Sequence, residues 1–296
     1  MGRVTDFFVV GAPKSGTTSL YFYLKQHPQI FLPSKKELHY FSFPELKQRE
    51  SGPGDKYVLR SCIETVEEYL EHYKGSDGLQ CGDISPSYLF HSGSALRIKE
   101  FNPSAKIIIL LRNHAEKAFS QYSHLRGVGR EALGFKEALL AEDERDKAGY
   151  SDFWLYKKST LYAPCVENYL DIFGAESVRV YLFDDLVNDR KKVLTEVCGF
   201  LGVDSSFHFL SEDAHNVSGK PRSYFVAKYI LAPNLFTSFL RRIIPSSVGA
   251  PIRSFIKGFN TGGKEKMCPV VRDELYDLFA EDRLELESIL KRKLPW

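Results

Sequence analysis

Between Asp6 and Leu20 the chain runs Asp-Phe-Phe-Val-Val-Gly-Ala-Pro-Lys-Ser-Gly-Thr-Thr-Ser-Leu. This reads as a buried strand, a loop bracketed by Gly11 and Gly16, and the start of a helix. Backbone N–H groups of such a loop, with the positive end of the helix behind them, hold a phosphate. Loops built for ATP or GTP place a lysine directly after the second glycine, where it reaches the terminal phosphates. Here Thr17 takes that position, and the loop's one lysine, Lys14, lies inside it. The equipment for a triphosphate and its magnesium is missing, which points to an anionic nucleotide other than ATP. A second anion-binding pair follows the apolar run Ile107 to Leu111, with Arg112 at its carboxyl end and Ser120 eight residues on. That spacing is about 12 Å along a helix. An arginine fork and a hydroxyl grip a phosphate together; taken alone, the pair also reads as a surface arginine and a routine helix serine.

These groups need a scaffold, and the apolar patterning predicts one. Strands are expected over 7–10, 30–32, 79–84, 106–111 and 178–183, the fourth a continuous apolar run typical of a buried parallel strand. Helices are expected over 17–26, 58–73, 115–124, 135–148, 161–173, 190–201 and 270–290, with His27-Pro28, Gly174 and Gly202 as stops. Strands alternating with helices predict an α/β fold: a P-loop-type, doubly wound parallel sheet flanked by helices, with ligands at the strands' carboxyl ends. The 296 residues are expected to form one domain. It divides into a core over 1–213, a basic and mostly helical segment over 214–264, and a C-terminal helical part over 265–296. From Ala214 through Lys264 no Asp or Glu occurs, while Lys220, Arg222, Lys228, Arg241, Arg242, Arg253, Lys257 and Lys264 do.

Composition narrows the remaining classes. Hydrophobic content of 43% and charged content of 26% are ordinary for a globular protein. Net charge is only +2, so any electrostatic signal lies in its distribution. Five scattered cysteines with no C-x-x-C pair argue against a disulfide scaffold and against structural zinc. No carboxylate is evidently paired with the loop, so no metal is expected. No run reaches the roughly 18 apolar residues of a membrane span. The first strand begins almost at once, which leaves no room for a signal peptide and makes a cytoplasmic location the expectation. No recognisable nucleic-acid reading module is present.

Read together, Pro13-Lys-Ser-Gly-Thr-Thr18 and Arg112-Asn-His-Ala-Glu-Lys-Ala-Phe-Ser120 resemble the two cofactor motifs of the sulfotransferase family. The likeness runs on through Lys35-Lys-Glu-Leu-His-Tyr-Phe41 and Gly82-Asp-Ile-Ser-Pro-Ser-Tyr88 to Trp296. It covers most of the chain in the expected order. The carbohydrate branch, which acts on heparan-type chains, is the nearer one. Its members carry a glutamate before an aromatic pair, as in Glu37-Leu-His-Tyr-Phe41, and a Pro-x-Tyr element like Pro86-Ser-Tyr88. One departure stands out: where some of those enzymes have a Glu-Lys pair upstream of that proline, this chain has Asp83-Ile84.

The resemblance implies transfer of a sulfuryl group from 3′-phosphoadenosine 5′-phosphosulfate (PAPS) to an acceptor hydroxyl, most simply on a saccharide or polysaccharide. It implies that Lys14, Ser15, Gly16, Thr17, Thr18 and Ser19 hold the 5′-phosphosulfate, and that Arg112 and Ser120 hold the 3′-phosphate. Glu37 is the implied general base, with Lys14 stabilising the leaving charge. His39 is the alternative base, because imidazole titrates near neutral pH. The lesser reading is that Glu37 simply pairs with Lys35 or Lys36 on a solvated loop. Tyr162 lies where relatives place a cofactor- or acceptor-contacting residue, and also reads as a buried aromatic. Asp83, Ser85 and Tyr88 are candidates for sugar contacts, or for a turn with local side-chain bonds. Lys220 and Arg222 resemble a late loop that closes over PAPS. Residues 224–259 read as basic amphipathic helices that line an acceptor cleft, lie on an anionic membrane, or form a plain helical subdomain. Other readings are the same transfer to a small alcohol, lipid or phenol, a nucleotide-dependent kinase, and a silent nucleotide-binding homologue.

Overall fold

Five parallel strands, β1 (Phe7–Gly11), β2 (Ile30–Phe31), β3 (Gln80–Ile84), β4 (Lys106–Leu111) and β5 (Val178–Leu182), form one sheet in the order β2-β3-β1-β4-β5. The structure is a computed structural model and describes residues 5–210 and 266–296. Lys220, Arg222 and the stretch 224–259 lie outside the described residues. Helices α1 (Thr17–Leu24), α2 (Phe43–Lys47), α3 (Asp55–Leu59), α4 (Val66–Glu71), α5 (Ser92–Phe101), α6 (His114–Gly127), α7 (Phe135–Leu140) and α8 (Glu142–Lys147) come first. They are followed by α9 (Ala163–Phe173), α10 (Phe183–Asn188), α11 (Arg190–Leu201), α12 (Pro269–Leu278) and α13 (Ala280–Leu290).

Side chains of a strand alternate between faces, and this sheet buries both. Phe7, Val9, Ile108 and Leu110 pack with Leu20 and Leu24 of α1 and with Val193 and Val197 of α11. Phe8, Val10, Ile107 and Ile109 pack on the opposite side with Ile98 of α5 and with Val166 and Tyr169 of α9. A third cluster joins α6 to α12 through Ala115, Ala118, Tyr122, Val271 and Leu275.

The strand order places the site. From β1 the chain goes to β2 and β3 on one side and then to β4 on the other, so the carboxyl ends of β1 and β4 form the switch point where such sheets bind ligands. At that point β1 is irregular. Val9 pairs with Ile108 and Gly11 with Ile109, leaving Val10 as an extra residue, and a bulge of this kind bends the strand end. Gly11 is needed there for close approach, since a Cβ would stand 2.5 Å from Cβ of Leu89.

Several elements differ from the patterning. The helix expected over 58–73 is two short ones, because Ile63 donates its N–H to the Leu38 carbonyl at 2.9 Å and Thr65 caps a new start at Val66, its side chain accepting the Glu68 N–H. The 135–148 segment divides at Ala141, where Glu142 turns inward and accepts the N–H groups of Lys157 and Lys158 at 2.7 and 2.8 Å. The last helix is interrupted at Phe279, whose ring stacks on His114. Helices α2, α5 and α10 lie where the patterning predicts none. The Ser-Gly-Ser opening of α5 reads as a loop, and α10 follows β5 without a break. All five cysteines are free; Cys62, Cys81 and Cys198 are buried and Cys268 is exposed.

Candidate active site

The loop after β1 turns through two left-handed residues, Lys14 at φ 66 and Gly16 at φ 93. The N–H groups that open α1, at Thr17, Thr18 and Ser19, have no partner within the helix by its geometry. Thr17 is buried, Lys14, Gly16, Thr18 and Ser19 are half-buried, and Ser15 is fully enclosed. A Cβ on Gly16 would stand 2.9 Å from the Phe183 ring. Arg112, at the carboxyl end of β4, reaches back to this loop: Nη1 donates to the Lys14 carbonyl at 3.3 Å and Nη2 to Glu116 Oε2 at 3.2 Å. Its guanidinium lies 4.9 Å over the Phe183 ring. The two motifs, almost a hundred positions apart in sequence, therefore touch. Ser120 follows on α6 and is half-buried.

Beneath the loop lies Tyr162, which caps α9 instead of opening it as expected. Burial pushes its hydroxyl well above the ordinary tyrosine value, although the Arg112 backbone and Ser15 lie beside it. Neither that hydroxyl nor Ser15 Oγ completes a hydrogen bond of good geometry. Two buried polar atoms thus stand unpartnered at the phosphate loop. Asp282 of α13, which nothing in the patterning singled out, locks this corner. Its carboxylate accepts from the N–H groups of Tyr162 and Ala163, both at 3.0 Å, and meets His114 Nε2 at 2.7 Å.

The second group of residues sits on the loop before α2. Glu37 and His39 both adopt positive φ, 64 and 57. Glu37 pairs with Lys36, and its Oε2 lies 3.8 Å from His39 Nε2. Burial tends to raise the Glu37 carboxyl, but Lys36 and His39 outweigh it and hold the group below the ordinary glutamate value. The charge of His124, on the last turn of α6, acts on it too, a neighbour that no motif indicated. His39 is held below the ordinary histidine value by burial, with Glu37 and Asp152 opposing. Its Nδ1 bonds Ser87 Oγ at 2.7 Å, and Ser87 in turn bonds Ser42 Oγ at 2.7 Å.

Asp83, Ser85 and Tyr88 prove to be sealed, at 1%, 0% and 0% exposure. Asp83 accepts from Ser85 Oγ at 2.6 Å, Tyr88 at 2.7 Å and Tyr69 at 3.1 Å. Ser85 Oγ also accepts the His39 N–H at 3.3 Å. The expectation of sugar contacts is thereby corrected to an internal one, since the same hydroxyls that would meet a sugar are turned onto a buried carboxylate. Burial pushes Asp83 up to about 6, despite those donors. A carboxyl raised from 3.8 to about 6 favours its protonated form in the fold, so stability is lost as pH climbs through that interval. The difference corresponds to roughly 3 kcal/mol at 1.36 kcal/mol per unit. Urea unfolding of Asp83→Asn beside the parent should show their gap change in the variant's favour between pH 4 and 7. A gap independent of pH would refute the assignment.

The sulfotransferase family model matches residues 6–207. The chain belongs to that family. A solved sulfotransferase from Alicyclobacillus acidocaldarius superposes with a TM-score of 0.78 at 36% identity, covering 99% of this chain and 98% of that one. The membrane-associated sulfotransferase kil1 of Dictyostelium discoideum is 34% identical over 121 residues, 40% of this chain. The bifunctional heparan sulfate N-deacetylase/N-sulfotransferase 4 of Mus musculus is 27% identical over 220 residues, 70% of this chain. The chain spans 22% and 23% of the length of these two relatives. Family and α/β sheet are both as the motifs and the alternation predicted. Among the described residues no helix is long and apolar enough to cross a membrane.

Proposed function

We propose that this sulfotransferase-family chain moves the sulfuryl group of PAPS to an acceptor hydroxyl on a saccharide, with Glu37 as general base. One observation carries the reading: the phosphate loop, Arg112 and the Glu37 loop gather at the carboxyl edge of three adjacent strands. The first two follow β1 and β4. The third is fastened to the residues that follow β3, through Ser85 and Ser87. The reading treats the 296 residues as one domain, which the packing of α13 on the core supports. The name of the heparan sulfate relative supports a saccharide acceptor.

The residues present fit the donor. Ser15 and Tyr162 offer two unpartnered buried hydroxyls beside the loop, and a bound phosphate satisfies such groups. Lys14, Ser15, Gly16, Thr17, Thr18 and Ser19 would hold the 5′-phosphosulfate, with Arg112 and Ser120 on the 3′-phosphate. The donor supplies an activated sulfuryl group on a phosphate leaving group. Transfer of this kind is an in-line displacement governed by positioning and charge stabilisation. The acceptor oxygen forms its bond to sulfur as its proton passes to a Glu37 oxygen, and the bond from sulfur to the phosphate oxygen breaks. Lys14 Nζ neutralises the charge that collects on that oxygen.

Calorimetric titration tests the donor assignment. The product 3′,5′-diphosphoadenosine is expected to bind, and magnesium ATP to bind far more weakly. Arg112→Ala should weaken the diphosphate by roughly 10- to 100-fold, the scale of a lost charge-assisted contact. Preference for magnesium ATP would overturn the reading in favour of a kinase.

A further inference from the structure

Outside the site just described, the interior holds a buried acid and imidazole that no motif accounts for. His91 Nε2 lies 3.5 Å from Asp152 Oδ1, with side-chain exposures of 5% and 7%. The contact lacks hydrogen-bond alignment, since Nε2 completes no hydrogen bond. What it joins is more informative.

On one side, His91 ends the short segment that begins at Ser85. That segment fixes His39 at two points, the backbone N–H on Ser85 Oγ at 3.3 Å and Nδ1 on Ser87 Oγ at 2.7 Å. On the other side, Asp152 and its neighbours are bound to α6. Gln121 Nε2 donates to the carbonyls of Asp152 at 3.3 Å and Phe153 at 2.9 Å, and to Ser159 Oγ at 3.2 Å. Lys117 Nζ donates to the Ser159 carbonyl and hydroxyl, both at 2.7 Å, and to Thr160 Oγ1 at 3.0 Å. Gln121 directly follows Ser120, and Lys117 lies one turn before it. Side-chain bonds therefore tie His39 to the segment 85–91, the backbone of that segment leads to His91, and His91 meets Asp152, whose carbonyl is held by the helix that presents Ser120.

We propose that His91 and Asp152 are positioning residues that hold His39 and transmit to it the occupancy of the 3′-phosphate site on α6. The inference rests on the donor and base reading given above. A two-ended contact of this kind would hold a loop with two positive-φ residues, Glu37 and His39, in one geometry and couple it to α6. The charged and titratable groups facing Asp152 are His91, His39 and Lys117, with Cys62 also within reach and Glu142 behind Lys117. Burial pushes Asp152 up, but His91, Lys117 and His39 outweigh it and hold the carboxyl ionised. Burial pushes Lys117 down to about 7, against Asp152 and Glu142.

The experiment follows the His39 imidazole by side-chain NMR through a pH titration, with and without saturating 3′,5′-diphosphoadenosine. The full chain and its Asp152→Asn variant are compared. In the parent, the diphosphate should move the His39 midpoint. In Asp152→Asn the midpoint should fall by at least about 0.5 pH unit, since a neighbouring negative charge that favoured the imidazolium is gone. The response to the diphosphate should disappear, while its Kd stays within about threefold, because no donor contact has been touched. If Asp152→Asn does not fold, His91→Gln carries the same comparison. A His39 response to the diphosphate that is unchanged in the variant overturns the coupling alone. Failure of the parent to bind the diphosphate overturns the donor reading, and this inference with it.

Discussion

Glu37→Gln is expected to lower the rate of sulfuryl transfer by at least about 100-fold, the scale for removing a general base. Glutamine keeps the shape and can still accept from Lys36, yet cannot take up a proton. The carboxylate it replaces stands between Lys36 and His39, whose influence lowers it from the usual 4.5. The sign of the pH dependence follows. The ionised form is the working one, so the parent should lose rate only as pH falls through a value under 4.5, and the variant should lack that limb. Steady-state rates across pH 3 to 8, with a desulfated heparan oligosaccharide as acceptor, give both readouts. Near-parental turnover by Glu37→Gln would transfer the base role to His39, which burial holds below the ordinary histidine value, or to water.

Lys14→Ala should cost a similar factor, again about 100-fold or more, because charge gathering on the leaving oxygen loses its cation. The lysine sits at φ 66 inside the loop, and its carbonyl accepts from Arg112. That bond uses the backbone and survives the substitution, and alanine tolerates the left-handed conformation no worse than lysine. Thermal stability should therefore change little while the single-turnover rate collapses. A variant that loses diphosphate affinity and keeps its rate would make Lys14 a ground-state contact only.

Much of this was legible in one dimension, and for a local reason. The phosphate loop is eight consecutive residues whose spacing between Gly11 and Thr18 dictates its backbone. The run from Ile107 to Leu111 is apolar because both of its faces are covered, and Arg112 follows at the strand end by adjacency alone. Strand and helix alternation was enough to predict a doubly wound sheet. Helix continuity was less legible. The stretches 58–73, 135–148 and 270–290 each keep helical spacing of apolar residues, but Thr65, Glu142 and Phe279 have long-range or capping partners that break them.

The chemistry of individual polar side chains belonged to the tertiary structure. Asp83, Ser85 and Tyr88 look the same on paper whether they face a sugar or one another; the approach of α4, which brings in Tyr69, closes them off. Asp282 reads as one more acid on a solvated helix until α13 packs on α9 and brings it to the N–H groups of Tyr162 and Ala163. His91 and Asp152 are 61 positions apart and meet only through folding. Motif and backbone conformation are set by neighbours in the chain. Burial, charge state and hydrogen-bond partnership are set by whichever distant segment displaces the water, and only the packed molecule decides that.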